Sequence, residues 1–244
     1  KGNMKRFNRV LALLAALVSL LSLAACTPPS PERELAMAQS RLAQVKSFRY
    51  DMDMDIQMTV GDAAISVATV CRAECITDPL TLKMDINLEM SEVGSVDYIM
   101  YAAQTEDGYA AYMNMYGDWI REELDGLGEL EQYDVRANMD KYLSGFASVT
   151  EAGSEELNGA KATRYDCVVS GGAIDEIMDS SGAYTQLSLL GISGEQAREM
   201  LSGLGEMPYS IWIDAKSSLP VRYELDMSGI MAALVEKILR GSGD

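Results

Sequence analysis

Between Tyr50 and Val60 the chain alternates. Tyr50, Met52, Met54, Ile56, Met58 and Val60 are apolar, and Asp51, Asp53, Asp55 and Gln57 between them are polar. Successive side chains of a strand point to opposite faces, so a period of two covers one face and leaves the other in water. A helix would scatter the same residues around its circumference. The pattern returns at Leu82, Met84, Ile86, Leu88 and Met90, set against Lys83, Asp85, Asn87 and Glu89. Antiparallel sheets tolerate one solvated face, so the chain is committed to one of these.

The remaining strands follow from the same period and from turn residues. Gly61-Asp62 leads into Ile65 to Ala73, which Asp78-Pro79 ends. Val96 to Gln104 and Tyr109 to Met115 form a hairpin across Glu106-Asp107-Gly108, and Trp119 to Leu124 is a short strand. Val149 to Leu157 and Ala160 to Ser170 meet at Asn158-Gly159, a dipeptide favouring the turn that matches strand twist. Tyr209 to Asp214 and Pro220 to Met227 make a last hairpin.

Helices announce themselves by a longer period. Leu35, Ala38, Leu42 and Val45 form one stripe of a helix running to about Ser47, with Ser30 placed to cap it and Pro31 at its first position. Val135, Met139, Tyr142, Leu143 and Phe146 mark a second, and Ile174 to Met178 begins a third. Ser193 with Gln196 makes a capping box for another ending near Leu204, and Ile230, Leu234 and Ile238 give a terminal helix. The fold class is α+β, with about nine strands in hairpin order. The expected architecture is a curved antiparallel β-sheet, an incomplete barrel, with helices covering its concave face.

The first 25 residues read as an address. Lys5, Arg6 and Arg9 precede the 16 uncharged residues Val10 to Ala25, ending in Leu23-Ala24-Ala25 before Cys26. A helix over that run would be roughly 24 Å long, short of the ~30 Å core of a bilayer. A basic start, a short apolar core and small residues at its end describe a secretory signal peptide. The tetrad Leu23-Ala24-Ala25-Cys26 resembles the lipobox of bacterial lipoproteins. That resemblance implies that the sulfur of Cys26 receives a diacylglycerol and that the chain is cut before it. Met4 is expected to be the initiator. Thr27-Pro28-Pro29-Ser30-Pro31 is a short stiff tether, and residues 32–244 are expected to form one domain. Loss of residues 1–25 leaves 219 residues and takes the net charge from −17 to −21. Such a chain repels phosphate backbones, so no nucleic acid partner is expected.

A second resemblance covers most of this domain. The order of N-terminal helix, meander strands and inserted helix, with Ile211-Trp212-Ile213-Asp214 and Leu219-Pro220-Val221-Arg222, is similar to the LolA/LppX-like lipoproteins. Gly108-Tyr109 and Asp118-Trp119 add to the match, which looks closest to the uncharacterised Gram-positive members. It implies an incomplete β-barrel around helices, in a group whose members bind acyl chains of lipids or lipoproteins. Further strand is expected after the helix near residue 240, whereas the chain stops at Asp244. Either the C-terminus is truncated or the barrel is shorter.

Catalytic constellations are not found. The 244 residues hold no histidine, which removes Ser-His-Asp, Cys-His and His-x-x-Glu-His arrangements from them. Gly126-x-Gly128 is followed by Glu131 where a dinucleotide loop needs a small residue. Asp51-x-Asp53-x-Asp55 opens like a calcium loop, but Ile56 and Asp62 stand where Gly and Glu are required. Glu122-Glu123 and Glu155-Glu156 read as solvated charge. Cys71 and Cys75 would lie ~13 Å apart along one strand, beyond the ~7 Å reach of a disulfide. A bond from either to Cys167 needs neighbouring strands, and a three-cysteine zinc site lacks a fourth ligand. Three unpaired, half-buried thiols are expected, with no metal and no cofactor.

The 16 methionines are the more telling residues, because thioethers adapt to varied apolar partners. Met54, Met58, Met84, Ile86, Leu88, Met100 and Met113 are the expected ligand-binding positions, with Tyr98, Tyr101, Tyr109, Tyr112 and Tyr116 as candidate rim residues. The expected protein is a non-enzymatic lipoprotein, anchored to the cell membrane through Cys26 and facing the extracytoplasmic side. It binds or carries a lipid or acyl chain in its half-barrel. The alternative is a non-catalytic envelope scaffold with a solid core, whose acidic face meets a protein partner that the sequence does not name.

Overall fold

The computed structural model describes residues 29–60, 63–91, 94–106, 108–124, 134–180 and 205–230, with Tyr184, Ser193, Glu195, Arg198, Glu199, Ala232 and Glu236. The signal segment and Cys26, the helix expected to end near Leu204 and most of the terminal helix lie outside the described residues. So does Gln196 of the capping box.

Helix α1 spans Pro31–Leu42. Pro31 occupies its first turn, Glu32 and Glu34 sit at the positive end of its dipole, and Arg41 at the negative end. Ser30 stands at the N-cap, yet its side chain does not bond the helix backbone and instead bonds the Glu32 carboxylate. The helix ends earlier than its apolar stripe suggests. The carbonyl of Lys46 accepts from the Thr77 N–H at 2.9 Å and that of Val45 from the Thr77 hydroxyl at 3.2 Å, so the chain is already docked on a strand.

The strands are β1 (Ser47–Val60), β2 (Ala63–Thr77), β3 (Leu80–Met90), β4 (Gly94–Thr105), β5 (Gly108–Met115), β6 (Asp118–Leu124), β7 (Phe146–Leu157), β8 (Ala160–Ser170), β9 (Glu206–Asp214) and β10 (Pro220–Leu225). Strands β1 to β6 form a six-stranded antiparallel meander in chain order, and β10-β9-β8-β7 form a second sheet of four. The ladder is therefore two sheets rather than one, not closed into a barrel. Helix α2 (Val135–Ser144) enters between β6 and β7, where the first ladder ends. Helix α3 (Gly172–Ser180) follows β8.

Alternation fixes the register of the large sheet, since a slip of one residue would turn every apolar side chain to water. Charge reinforces it on the outer face. Arg49, Glu74 and Lys83 stand abreast on β1, β2 and β3, and so do Asp51, Arg72 and Asp85. Neighbours thus alternate in sign, though each exposed pair contributes only about 0–1 kcal/mol.

In the second sheet, Asn158 (φ 53°) and Gly159 (φ 78°) both adopt left-handed backbone, the expected tight turn. Phe146 is not part of α2. That helix stops at Ser144, the Gly145 N–H closes on the Lys141 carbonyl at 2.8 Å, and Phe146 opens β7. At its other end Asp134, buried and unremarked from sequence, caps α2 by accepting from the N–H groups of Arg136 (3.0 Å) and Ala137 (3.3 Å).

Two cores result. One lies between the small sheet and the helices, where Tyr165, Val169, Met207, Tyr209 and Ile211 meet Leu35 of α1, Leu143 of α2 and Ile177 of α3. The other lines the inner face of the large sheet. Cys71 and Cys75 belong to the second and Cys167 to the first, and all three are free. They are fully buried rather than half-buried, and their strands are not neighbours.

Candidate ligand-binding face

The inner face of the large sheet is built from rows of opposed residues. Tyr50, Ala73, Met84, Met100, Met113 and Ile120 form one row across all six strands. Met52, Cys71, Ile86, Tyr98 and Met115 form the next, and Met54, Thr69, Leu88 and Val96 the one beyond. Phe48, Cys75, Leu82, Ala102 and Ala111 run on the other side of the first. All seven expected ligand-binding positions thus fall on one face. Met58 shares it by register, opposite Ile65, and nothing further is described of its side chain.

Burial divides these residues. Met84 (4% exposed) and Met100 (5%) are packed into the core with Cys75, Leu82 and Ala102. Ile86, Leu88 and Met113 are half-buried, and Met54 is 42% exposed. Moving from the Cys75 row to the Met54 row, exposure rises on β1, β3 and β4, while Cys71 and Thr69 on β2 stay buried. The sealed end is where the helix start and the small sheet approach. The carboxylate of Asp134 and the phenol of Tyr223 both lie within electrostatic range of Tyr50.

Electrostatics follow burial. Desolvation pushes the Cys75 thiol up to about 11, reinforced by Asp134 and opposed by Arg136. Burial also raises the Cys71 thiol, with Asp85 and Asp51 adding to it. The Tyr50 phenol is raised by burial, and its hydroxyl lies 3.8 Å from the Met84 sulfur. Sulfur is concentrated here. Met52, Met54, Met84, Met90, Met100, Met113 and Met115 share this face with Cys71 and Cys75, and no sulfur stands on the opposite face of the described sheet. Among the described residues no group of His, Cys, Asp or Glu is placed to hold a metal ion.

The tyrosines do not form a common rim. Tyr98 and Tyr109 share the inner face, whereas Tyr101 and Tyr112 stand on the outer one. Tyr116 lies in a turn, 81% exposed. Val96, Met115 and Ile120, not among the expected ligand-binding positions, also stand on this face. Their two-residue spacing from Tyr98, Met113 and Glu122 is the signal that finds them.

A shallow depression of about 590 Å³ opens on the outer face instead, lined by polar groups that include Arg72, Asp85, Asn87, Asp97 and Asn114. Within it the Asn87 amide donates to Asp97 at 2.7 Å and to Ser95 at 2.9 Å. On the small sheet, Trp212 lies buried between the guanidinium groups of Arg164 and Arg222, 5.2 and 4.8 Å from its ring. Its indole N–H donates to Glu155, a carboxylate the sequence left to solvent.

Two open antiparallel sheets, the smaller packed against the helices, define an α+β half-shell. The chain belongs to the family of unknown function DUF6612, whose model matches residues 33–238. No curated protein matches it. Among solved structures it is similar to the lipoprotein LppX of Mycobacterium tuberculosis. The two share 15% identity at a TM-score of 0.49, over 83% of this chain and 91% of that one. It is also similar to LprF of Mycobacterium bovis, with 14% identity at a TM-score of 0.48, over 82% and 89%. Both scores fall under 0.5, and no ligand, site or activity passes to this chain from them. Among the described residues no helix is long and apolar enough to cross a membrane.

Proposed function

We propose that the protein is a lipid-anchored extracytoplasmic lipoprotein, without catalytic activity, that holds a lipid or one of its acyl chains against the open half of this face. The observation that carries the reading is the burial gradient. One continuous apolar surface is sealed around Met84 and Met100 and left half-exposed at Ile86, Leu88, Met113 and Met54. A contiguous apolar strip left open to water marks an interaction site. Each CH₂ of a chain laid along it gains ~0.8 kcal/mol, and flexible methionines conform to chains of differing shape. The lipobox tetrad supports the location: Cys26 stands four residues before the N-cap Ser30, so an anchored domain holds this face near the bilayer.

The full chain, produced in a bacterial host and purified in mild detergent, is to be measured by native mass spectrometry. The expected spectrum shows a diacylglycerol mass on the N-terminal peptide beginning at Cys26 and a second, non-covalent lipid released at higher collision energy. A folded protein that stays empty after incubation with fatty acids and phospholipids refutes the ligand reading, and an unmodified Cys26 refutes the anchor.

The packed row of Cys75, Leu82 and Ala102 favours a second reading, a solid scaffold that meets a protein through its acidic outer face. An empty protein retaining one stoichiometric protein partner supports that reading instead.

A further inference from the structure

We propose that the inner face of the large sheet also carries a Cu(I) site formed by the thioethers of Met84, Met100 and Met113. These residues stand directly abreast on β3, β4 and β5. Met100 stands between the other two, with about 4.5–5.5 Å between its Cα and each of theirs, so three flexible side chains on one face can reach a single ion held above Met100. Thioethers are soft ligands, and soft sulfur sets without carboxylate or imidazole select Cu(I) over harder divalent metals. The site also has an entry side, because Met113 is half-buried next to the open end of the face whereas Met84 and Met100 are sealed.

Packing alone does not call for this residue choice. Burying methionine costs up to about 1.5–2 kcal/mol of rotamer freedom, against about 0.5–1 for leucine, which fills a similar volume. Three adjacent sealed or half-sealed positions use methionine all the same. Burial holds the neighbouring thiols of Cys71 and Cys75 protonated, so a site that used them would release protons and bind in a pH-dependent way. Thioethers need no deprotonation, so a site built from them binds independently of pH.

Met84 and Met100 lie in the sealed part of the face and Met113 borders the open half, so the inference is tested by metal binding alone, apart from lipid binding. The test uses the full-length lipoprotein in detergent, without oxygen, competing for Cu(I) against the chromophoric chelator bicinchoninate. One equivalent of Cu(I) leaves the chelator, to the same extent at pH 5.5 and pH 7.5, and X-ray absorption shows a sulfur-only first shell. The M84L/M100L variant weakens binding by at least about ten-fold, an effect that lesser outer-shell changes already produce at metal sites. Should that variant fail to fold, M113L at the half-buried position carries the same expectation. The C71S/C75S/C167S variant keeps the affinity. A wild-type protein that takes no Cu(I), methionine variants that bind equally well, or loss of binding in the cysteine variant each overturns the proposal.

Discussion

The hydroxyl of Tyr209 on β9 donates a 2.6 Å hydrogen bond to the main-chain carbonyl of Tyr142 in α2, and their rings lie 5.4 Å apart. Both residues are buried, so this bond ties the small sheet to the last turns of the helix. Tyr209→Phe keeps the ring and leaves the carbonyl without its partner. The expected loss is about 1–3 kcal/mol, the desolvation of an unsatisfied buried acceptor, read as a lower urea midpoint with an unchanged slope. An unchanged midpoint would show that the bond contributes nothing.

Gly145, at the end of α2, lies against Ala173 of α3. A Cβ added there would stand 2.8 Å from the Lys141 carbonyl oxygen and 3.2 Å from the Ala173 methyl. The nearer obstacle is backbone and cannot swing aside. Gly145→Ala is expected to destabilise the protein by about 1–3 kcal/mol, the usual range for overpacking, in thermal or chemical denaturation. Gly172→Ala, where the added Cβ meets nothing within 4 Å, is the matched control.

The burial gradient has a direct stability signature. Met100→Ala empties a sealed position and should lower stability by about 2–5 kcal/mol. Met54→Ala, at the open end, should change it by less than about 0.5 kcal/mol. Equal effects would mean that the face is covered along its whole length.

The buried thiols give the alkaline limb. Burial raises Cys75 and Cys167 to about 11 in the folded protein, against about 8.5 unfolded. A group with a raised folded pKa holds its proton more tightly when folded, so its contribution is complete below the unfolded value and is lost as pH rises toward the folded one. Stability should therefore fall between about pH 8.5 and 11, and the fall should be shallower in the C75A/C167A variant. Ellman's reagent at pH 8 should label neither thiol until denaturant is added. Rapid labelling of the native protein would contradict the burial of both.

Much of this fold was legible because alternation is a strong signal. The rows through Met84 and Leu88 follow from the two-residue period alone, and Asn158-Gly159 announced its turn. Phe146 was misread because it continues the period of α2, although the helix closes one residue earlier at Gly145, whose N–H bonds the Lys141 carbonyl. The split into two sheets was equally hidden, since a hairpin order is the same whether or not the ladder continues past β6. Sequence could place Met54 and Met84 on one face but could not distinguish open from sealed.

The most direct measurement of the central claim places a charge on each face of the large sheet and reads lipid uptake. Leu88→Asp enters the open half of the inner face, and Tyr101→Asp the exposed outer face. Displacement of a fluorescent fatty acid from the purified lipoprotein should show at least about ten-fold weaker binding for Leu88→Asp, a loss of 1.4 kcal/mol or more. Wild-type affinity is expected for Tyr101→Asp. Equal binding by both variants and the wild-type protein would contradict a ligand seated on the inner face.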